Sequence, residues 1–347
     1  IRDMKRPEFL KKNDKITMVA PSFGVTTEPY LTRYYAAVKN LKKQGFQILE
    51  GKNVHREDGI VSSAPAEERA QEFMDAYLSD SSLILSVGGG ELMDEILPYI
   101  DFAKIKDSKP KWFMGFSDNT HLTYTLTTLC DVMTIYGPNA PTFFEKPIRL
   151  NQLDALRMLE GEMDFYGYPK WNKPNFKKKF DPTKKKEISP LRRYRYMSEK
   201  IITPYNWNES IKGTLLGGCL DCLITLCGTR FDKTKEFIAS HPEGIIWYLE
   251  ACDLSPLGIR RALFQLKEAG WFDSAKAFLI GRPLCWDNTS FSLNRFDAIK
   301  GVLSSLNVPI LFDVDLGHYA PSLPIMNGAF AEVSYERNNL HIKYLDK

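Results

Sequence analysis

No stretch of this 347-residue chain approaches about 18 uninterrupted apolar residues, so no conventional transmembrane helix is expected and a membrane is not an expected partner. The first twenty residues, IRDMKRPEFLKKNDKITMVA, lack an apolar run of the length a secretory signal needs. They begin with Ile1 rather than Met, and a leader cleaved ahead of Ile1 would leave no mark in this numbering. Neither a G-x-G-x-x-G turn nor a P-loop Lys-Ser/Thr pair occurs, which weighs against a nucleotide cofactor. Internal repeats are missing. Charge of one sign is scarce too: 46 Lys+Arg against 43 Asp+Glu leave a net +3, too little to argue for nucleic acid. The six cysteines (Cys130, Cys219, Cys222, Cys227, Cys252 and Cys285) sit in apolar stretches of a chain large enough to fold without disulfides. They read as buried free thiols of a cytoplasmic protein. Cys219-x-x-Cys222 would be half a zinc site, but no second Cys or His pair stands at a matching spacing, so neither metal nor cofactor is expected.

What is present is a pattern. The length suggests two domains, each able to bury its own core. Lys15–Ala20, Phe46–Glu50, Ser82–Val87 and Lys111–Phe116 read as strands. Helical segments over Glu28–Gln44, Ala64–Leu78 and Asp118–Leu129 alternate with them, and Pro65 suits a first helical turn. Short loops between alternating elements predict an α/β fold with a parallel sheet covered on both faces. A second periodic region follows. Lys212–Leu216, Gly244–Leu249, Ala277–Gly281 and Pro309–Phe312 are strand-like, and Ala329–Tyr335 with Leu340–Tyr344 read as a hairpin. The expectation is an N-terminal Rossmann-like domain (1–149), a basic linker or flap (150–206), and a smaller C-terminal α/β domain (207–347).

The linker carries the charge asymmetry. Residues 173–195 hold seven Lys and three Arg against Asp181 and Glu187, a local balance of +8, so the rest of the chain sums to −5. Trp171, Pro174, Phe176, Phe180, Pro182, Tyr194 and Tyr196 are interleaved with or flank them. A solvated basic loop and a surface for an anionic substrate are both open readings.

The sharpest local feature is Gly115-Phe116-Ser117-Asp118-Asn119, between an apolar strand and a helix. A serine at such a turn projects its hydroxyl from the strand end, beside helix N-terminal amides that suit an oxyanion. The match to G-x-S-x-G is partial, and Ser-Asp at a helix start is also an ordinary N-cap. A serine nucleophile needs a base, and there are five histidines. His55, His241 and His341 stand beside charged or turn residues and read as surface. His121 follows Ser117 on the same helix, whereas an elbow usually takes its base from another loop. His318, in DLGHYAP beyond the strand Pro309–Phe312, lies where open α/β sheets place functional groups. A histidine base needs an orienting carboxylate. Glu250 closes the strand GIIWYL, and Asp253, Asp313 and Asp315 are its rivals. Gly88-Gly89-Gly90 after SLILSV could lend backbone N–H groups to an oxyanion.

Taken together, GFSDNT around Ser117, VGGG at 87–90, YGPN at 136–139, LGGCLDCL at 216–223, YLEACD around Glu250 and GHYAPSLPIMNG from Gly317 resemble the LD-carboxypeptidase family of serine peptidases, from about Lys15 to about Phe330. That family includes muramoyl-tetrapeptide carboxypeptidases and microcin-immunity peptidases. The resemblance implies Ser117 as nucleophile, His318 as general base and then acid, and Glu250 as its orienting carboxylate. It further implies an oxyanion hole from the amides of Asp118 and Gly90. The implied reaction removes a terminal D-amino acid from an L-configured neighbour in murein tetrapeptides, without metal, by a cytoplasmic enzyme that is often a homodimer. The family often has Gly-Gly-Asn where this chain has Gly217-Gly218-Cys219, so Cys219 stands where an amide would recognise the substrate carboxylate. The long linker is nearer the microcin-immunity branch, where a loop Trp stacks on a nucleotide, a part that would fall to Trp171. That branch suggests an alternative substrate, a peptidyl or aminoacyl adenylate-like toxin. A non-catalytic two-lobed binding protein is the alternative from another class.

Overall fold

The computed structural model describes residues 3–179, 181–184 and 187–346; Phe180, Lys185 and Lys186 of the basic run lie outside the described residues. In the N-terminal half, β1 (Lys15–Val19), β2 (Gln47–Glu50), β3 (Leu83–Ser86), β4 (Trp112–Gly115) and β5 (Thr134–Tyr136) form a parallel sheet in the order β5-β4-β3-β1-β2. The continuous apolar runs follow from burial on both faces. Ile16, Met18, Leu83, Leu85, Trp112 and Met114 pack with Tyr34, Ala37 and Leu41 of the helix Tyr30–Lys43. The intervening Ile84 and Phe113 pack with Phe73 and Tyr77 of Ala66–Tyr77 and with Leu122 and Leu126 of Thr120–Cys130. Pro65 caps the second of these helices from outside, with an extended ψ of 149°, rather than opening its first turn.

Residues 150–206 are more than a connection. The helix Leu150–Leu159 buries Leu156, Met158 and Leu159. Next come β6 (Asp164–Tyr166), β7 (Lys170–Trp171), β8 (Ser198–Glu199) and β9 (Thr203–Tyr205). The strands β7 and β8 pair as a small ribbon, while β6 and β9 become the two edges of the second sheet. That sheet is built on the parallel strands β10 (Ile211–Cys219), β11 (Ile245–Glu250), β12 (Ala275–Gly281) and β13 (Ile310–Val314). The next strand, β14 (Ile325–Asn327), crosses to the first sheet and pairs antiparallel with β5. The expected hairpin, β15 (Phe330–Glu336) and β16 (Asn339–Tyr344), extends the second sheet, giving the eight-strand order β6-β16-β15-β10-β11-β12-β13-β9. The molecule is therefore a two-domain α/β protein with mixed sheets. The strands inside 150–206 leave no periodic mark in the sequence, because two- and three-residue strands are too short to show a period of 2. Among the described residues no helix is long and apolar enough to cross a membrane.

Candidate active site

Beyond Gly115 the chain turns sharply out of β4. Phe116 is extended (φ −137°, ψ 179°), Ser117 is left-handed (φ 64°), and a 3-10 turn over Ser117–Asn119 feeds the helix Thr120–Cys130. A left-handed conformation costs a non-glycine residue about 1–2 kcal/mol, so other contacts must hold it. They are present: Phe116 N–H donates to Asn139 Oδ1 (3.2 Å), Ser117 N–H to Tyr136 Oη (3.0 Å), and Thr120 Oγ1 to the Ser117 carbonyl (2.7 Å). Gly115 is required by space, since a β-carbon there would stand 2.6 Å from Asn119 Cγ. The capping alternative is not realised. Neither Ser117 nor Asp118 caps the helix with its side chain; Asp118 instead accepts from Ser22 Oγ (2.6 Å) and Met93 N–H (3.0 Å).

Strands of both sheets end at this site, β4 two residues before Ser117 and β11 on Glu250. His318 Nε2 lies 2.9 Å from Ser117 Oγ, and its Nδ1 lies 2.9 Å from Glu250 Oε2. Glu250 is the last residue of β11, its side chain fully buried, and its other oxygen accepts from Tyr136 Oη at 2.5 Å. The rival carboxylates are committed elsewhere: Asp313 to Arg295 (2.6 Å), Asp315 to Arg282 (2.8 Å) and the Tyr168 amide, while Asp253 neighbours Cys252 Sγ at 3.7 Å. The two-lobed binding alternative would have left Ser117 and His318 apart, and here they touch. Burial opposes a charge on His318, but the Glu250 carboxylate and the Cys252 thiol outweigh it and raise the imidazole above its ordinary value. Burial likewise pushes Glu250 up, and His318, with donors from Tyr136 and Cys219, more than offsets this and holds it low. With that carboxylate at Nδ1, Nε2 is the nitrogen that faces the serine hydroxyl.

The glycine turn after β3 lies beside Ser117. A β-carbon at Gly89 would stand 3.6 Å from Ser117 Oγ, whereas one at Gly90 (φ 155°) would run into Ser22 and Phe23. The Gly89–Gly90 peptide thus adjoins the Ser117 side chain. Asp118, second residue of the 3-10 turn, carries one of the N–H groups that a helix start leaves without an intrahelical acceptor.

The two residues expected to bind substrate are both buried. Trp171 is only 3% exposed; its ring packs at an angle against Trp286 and Tyr319, with the Arg282 guanidinium 4.6 Å above it. Cys219 is also buried, its amide donating to Thr120 Oγ1 (3.0 Å) and its thiol supporting Glu250 from behind. His121 points away from the serine toward Asp118 and Thr225. Of the histidines read as surface, His55 and His341 pair with Glu50 and Asp164, but His241 is buried against Phe237. Sequence reasoning missed Tyr136, Cys252 beside His318, and a cleft of about 370 Å³ next to His318. That cleft is lined by Phe116, Asn151, Asn172, Tyr194, Tyr196 and Tyr319. The basic segment therefore covers the site with its aromatic residues, while Lys177, Lys178 and Lys179 are exposed. Arg33 donates to the Pro190 carbonyl (2.8 Å), Arg149 to that of Tyr194 (2.5 Å), and Arg193 pairs with Glu145 (3.1 Å), anchoring this cover.

Asp118, His121 and Cys222 hold potential metal-ligand atoms within 4.8 Å of one another. Their hydrogen bonds to Ser22, Met93 and Thr225 account for the Asp118 and His121 atoms without an ion.

A family model described as the LD-carboxypeptidase N-terminal domain matches residues 16–137, and one described as the LD-carboxypeptidase C-terminal domain matches residues 212–333. The microcin C7 self-immunity protein MccF of Escherichia coli is 25% identical over 318 residues, covering 89% of this chain and 88% of its own. The probable murein peptide carboxypeptidase of Bacillus subtilis (strain 168) is 25% identical over 338 residues, 95% and 91% of the two chains. The fold matches that of wild-type apo MccF (TM-score 0.79, 24% identity, 99% of each chain). It also matches a muramoyltetrapeptide carboxypeptidase from Oxalobacter formigenes (TM-score 0.69, 21% identity, 96% of this chain and 99% of that one).

Proposed function

The chain belongs to the LD-carboxypeptidase family and is a serine peptidase, and from that premise we propose that it hydrolyses the terminal L,D-peptide bond of murein tetrapeptides through Ser117, His318 and Glu250. The observation that carries this reading is the unbroken hydrogen-bonded chain from Ser117 Oγ through the imidazole to the buried carboxylate. Ser117 Oγ attacks the scissile carbonyl as its proton passes to His318 Nε2. The amides of Asp118 and Gly90 stabilise the oxyanion. His318 then protonates the departing amine of the D-amino acid, and a water activated by the same imidazole releases the acyl group. Residues 1–149 supply the nucleophile, 207–347 the acid and base, and the span between them covers the cleft. The enzyme acts in the cytoplasm, where its six free thiols persist, as a homodimer.

One observation favours a second substrate. The aromatic lining from Tyr194, Tyr196 and Tyr319 suits stacking on a planar base, and MccF structures hold aspartyl sulfamoyl adenosine and glutamyl sulfamoyl guanosine. The test sets kcat/KM for D-alanine release from a murein tetrapeptide beside that for an aminoacyl sulfamoyl nucleotide. We expect the tetrapeptide to be preferred by at least about tenfold, a difference of 1.4 kcal/mol in transition-state binding. The reverse preference would move the chain to toxin detoxification.

A further inference from the structure

Tyr136, the first residue of the YGPN stretch, takes no part in bond making in the proposed reaction, yet it touches both halves of the catalytic machinery. Its hydroxyl accepts the Ser117 amide hydrogen at 3.0 Å and donates its own to Glu250 Oε1 at 2.5 Å. The ring is buried, wedged between Phe116 (6.3 Å) and Tyr248 (5.8 Å), so the hydroxyl has one location. Ser117 hangs from the first sheet and Glu250 from the second, and a single oxygen ties the strained turn of one to the carboxylate of the other. Resting on the proposed triad, we infer that Tyr136 is a positioning residue that sets both the placement of Ser117 and the basicity of His318 through Glu250.

The two effects have separate consequences. Without the hydroxyl, the Ser117 amide loses its acceptor in a buried site, and the left-handed turn loses one of the contacts that hold it. Glu250 loses a donor that draws negative charge away from the oxygen facing His318, so the imidazolium gains stability and the base titrates at higher pH. The groups facing this pair are Cys219 at the end of β10, Cys252 after β11 and the Tyr248 ring. The hydrogen bond to Cys222, and after it burial, pushes the Cys219 thiol up, and burial pushes up that of Cys252. Asn139, three residues on, accepts the Phe116 amide but does not reach Glu250, so it can hold the turn without tuning the base.

A fluorophosphonate probe reads this without assuming a substrate. Ser117 Oγ bonds to phosphorus, fluoride leaves, and the hydroxyl proton passes to His318. In Tyr136→Phe we expect the second-order labelling rate to fall roughly 10- to 100-fold, the scale of a hydrogen bond to a charged group. We also expect the midpoint of its rise with pH to move upward from the wild-type position. Thermal unfolding measured in parallel separates rate loss from loss of fold. A variant labelling at the wild-type rate and midpoint, or more slowly at an unchanged midpoint, overturns the inference and leaves the triad intact. A wild-type protein that does not label would overturn the triad and the inference with it.

Discussion

Replacing Ser117 with alanine is expected to lower kcat for tetrapeptide hydrolysis by about ten-thousandfold or more, with substrate binding little changed. The hydroxyl is the sole atom removed, and it is the one His318 Nε2 faces at 2.9 Å. What remains is an oxyanion site and a cleft without a nucleophile, so residual rate comes from binding and electrostatics alone. The fold should not suffer. The alanine keeps the backbone amide that donates to Tyr136 and the carbonyl that accepts from Thr120, both of which hold the turn. Thermal unfolding at or above the wild-type midpoint, with turnover lost, is the expected pair of results. Retained turnover would remove Ser117 from the chemistry.

Glu250→Gln should be the other large effect, about a thousandfold or more in kcat, because the amide neither fixes the tautomer nor stabilises the imidazolium. It carries a distinctive pH signature. In the wild type, burial opposes the positive imidazole and the carboxylate overrides it, so the pKa of His318 lies above the ordinary histidine value. Deprotonation would switch the proposed base on, so activity is expected to rise with pH through that raised value. Removing the carboxylate moves the rise to lower pH, opposite to the shift expected for Tyr136→Phe. Stability follows the same linkage. A raised folded-state pKa contributes stability fully present below the unfolded value near 6.5, and this is lost as pH rises through the folded value. Denaturant unfolding of the wild type should therefore weaken over that window, and the Gln variant should lack the dependence.

The strand-turn-helix around Ser117 was legible because chemistry and local structure coincide there: an apolar β4, a glycine with no room for a β-carbon, and a serine at the turn. Glu250 and His318 stand out in the sequence as polar residues at the end of one buried strand and just beyond another. Tyr136 does not, because its role depends on β5 lying beside β4 and on Glu250 arriving from another sheet, pairings with no sequence period. Trp171 misled for the opposite reason. In a basic, aromatic segment it resembles a ligand platform, but packing against Trp286 and Tyr319, both distant in sequence, buries it. The HPEG turn predicts a surface position for His241, whereas its ring stacks on Phe237 at 4.0 Å. The edge strands β6 and β9 were missed because three residues show no alternation, and only tertiary pairing makes them strands.

One rival nucleophile stands within the same site: the half-buried Cys252 thiol, which contacts the His318 ring from the loop after β11. Burial raises its pKa above the ordinary thiol range, and Ser117 holds the direct 2.9 Å contact to Nε2, which favours the serine. The measurement that decides between them is the location of the acyl group. Protein quenched with acid during turnover of a murein tetrapeptide, digested and mapped by mass spectrometry, should carry the tripeptide acyl mass as an ester on Ser117. The same mass as a thioester on Cys252 would contradict the account.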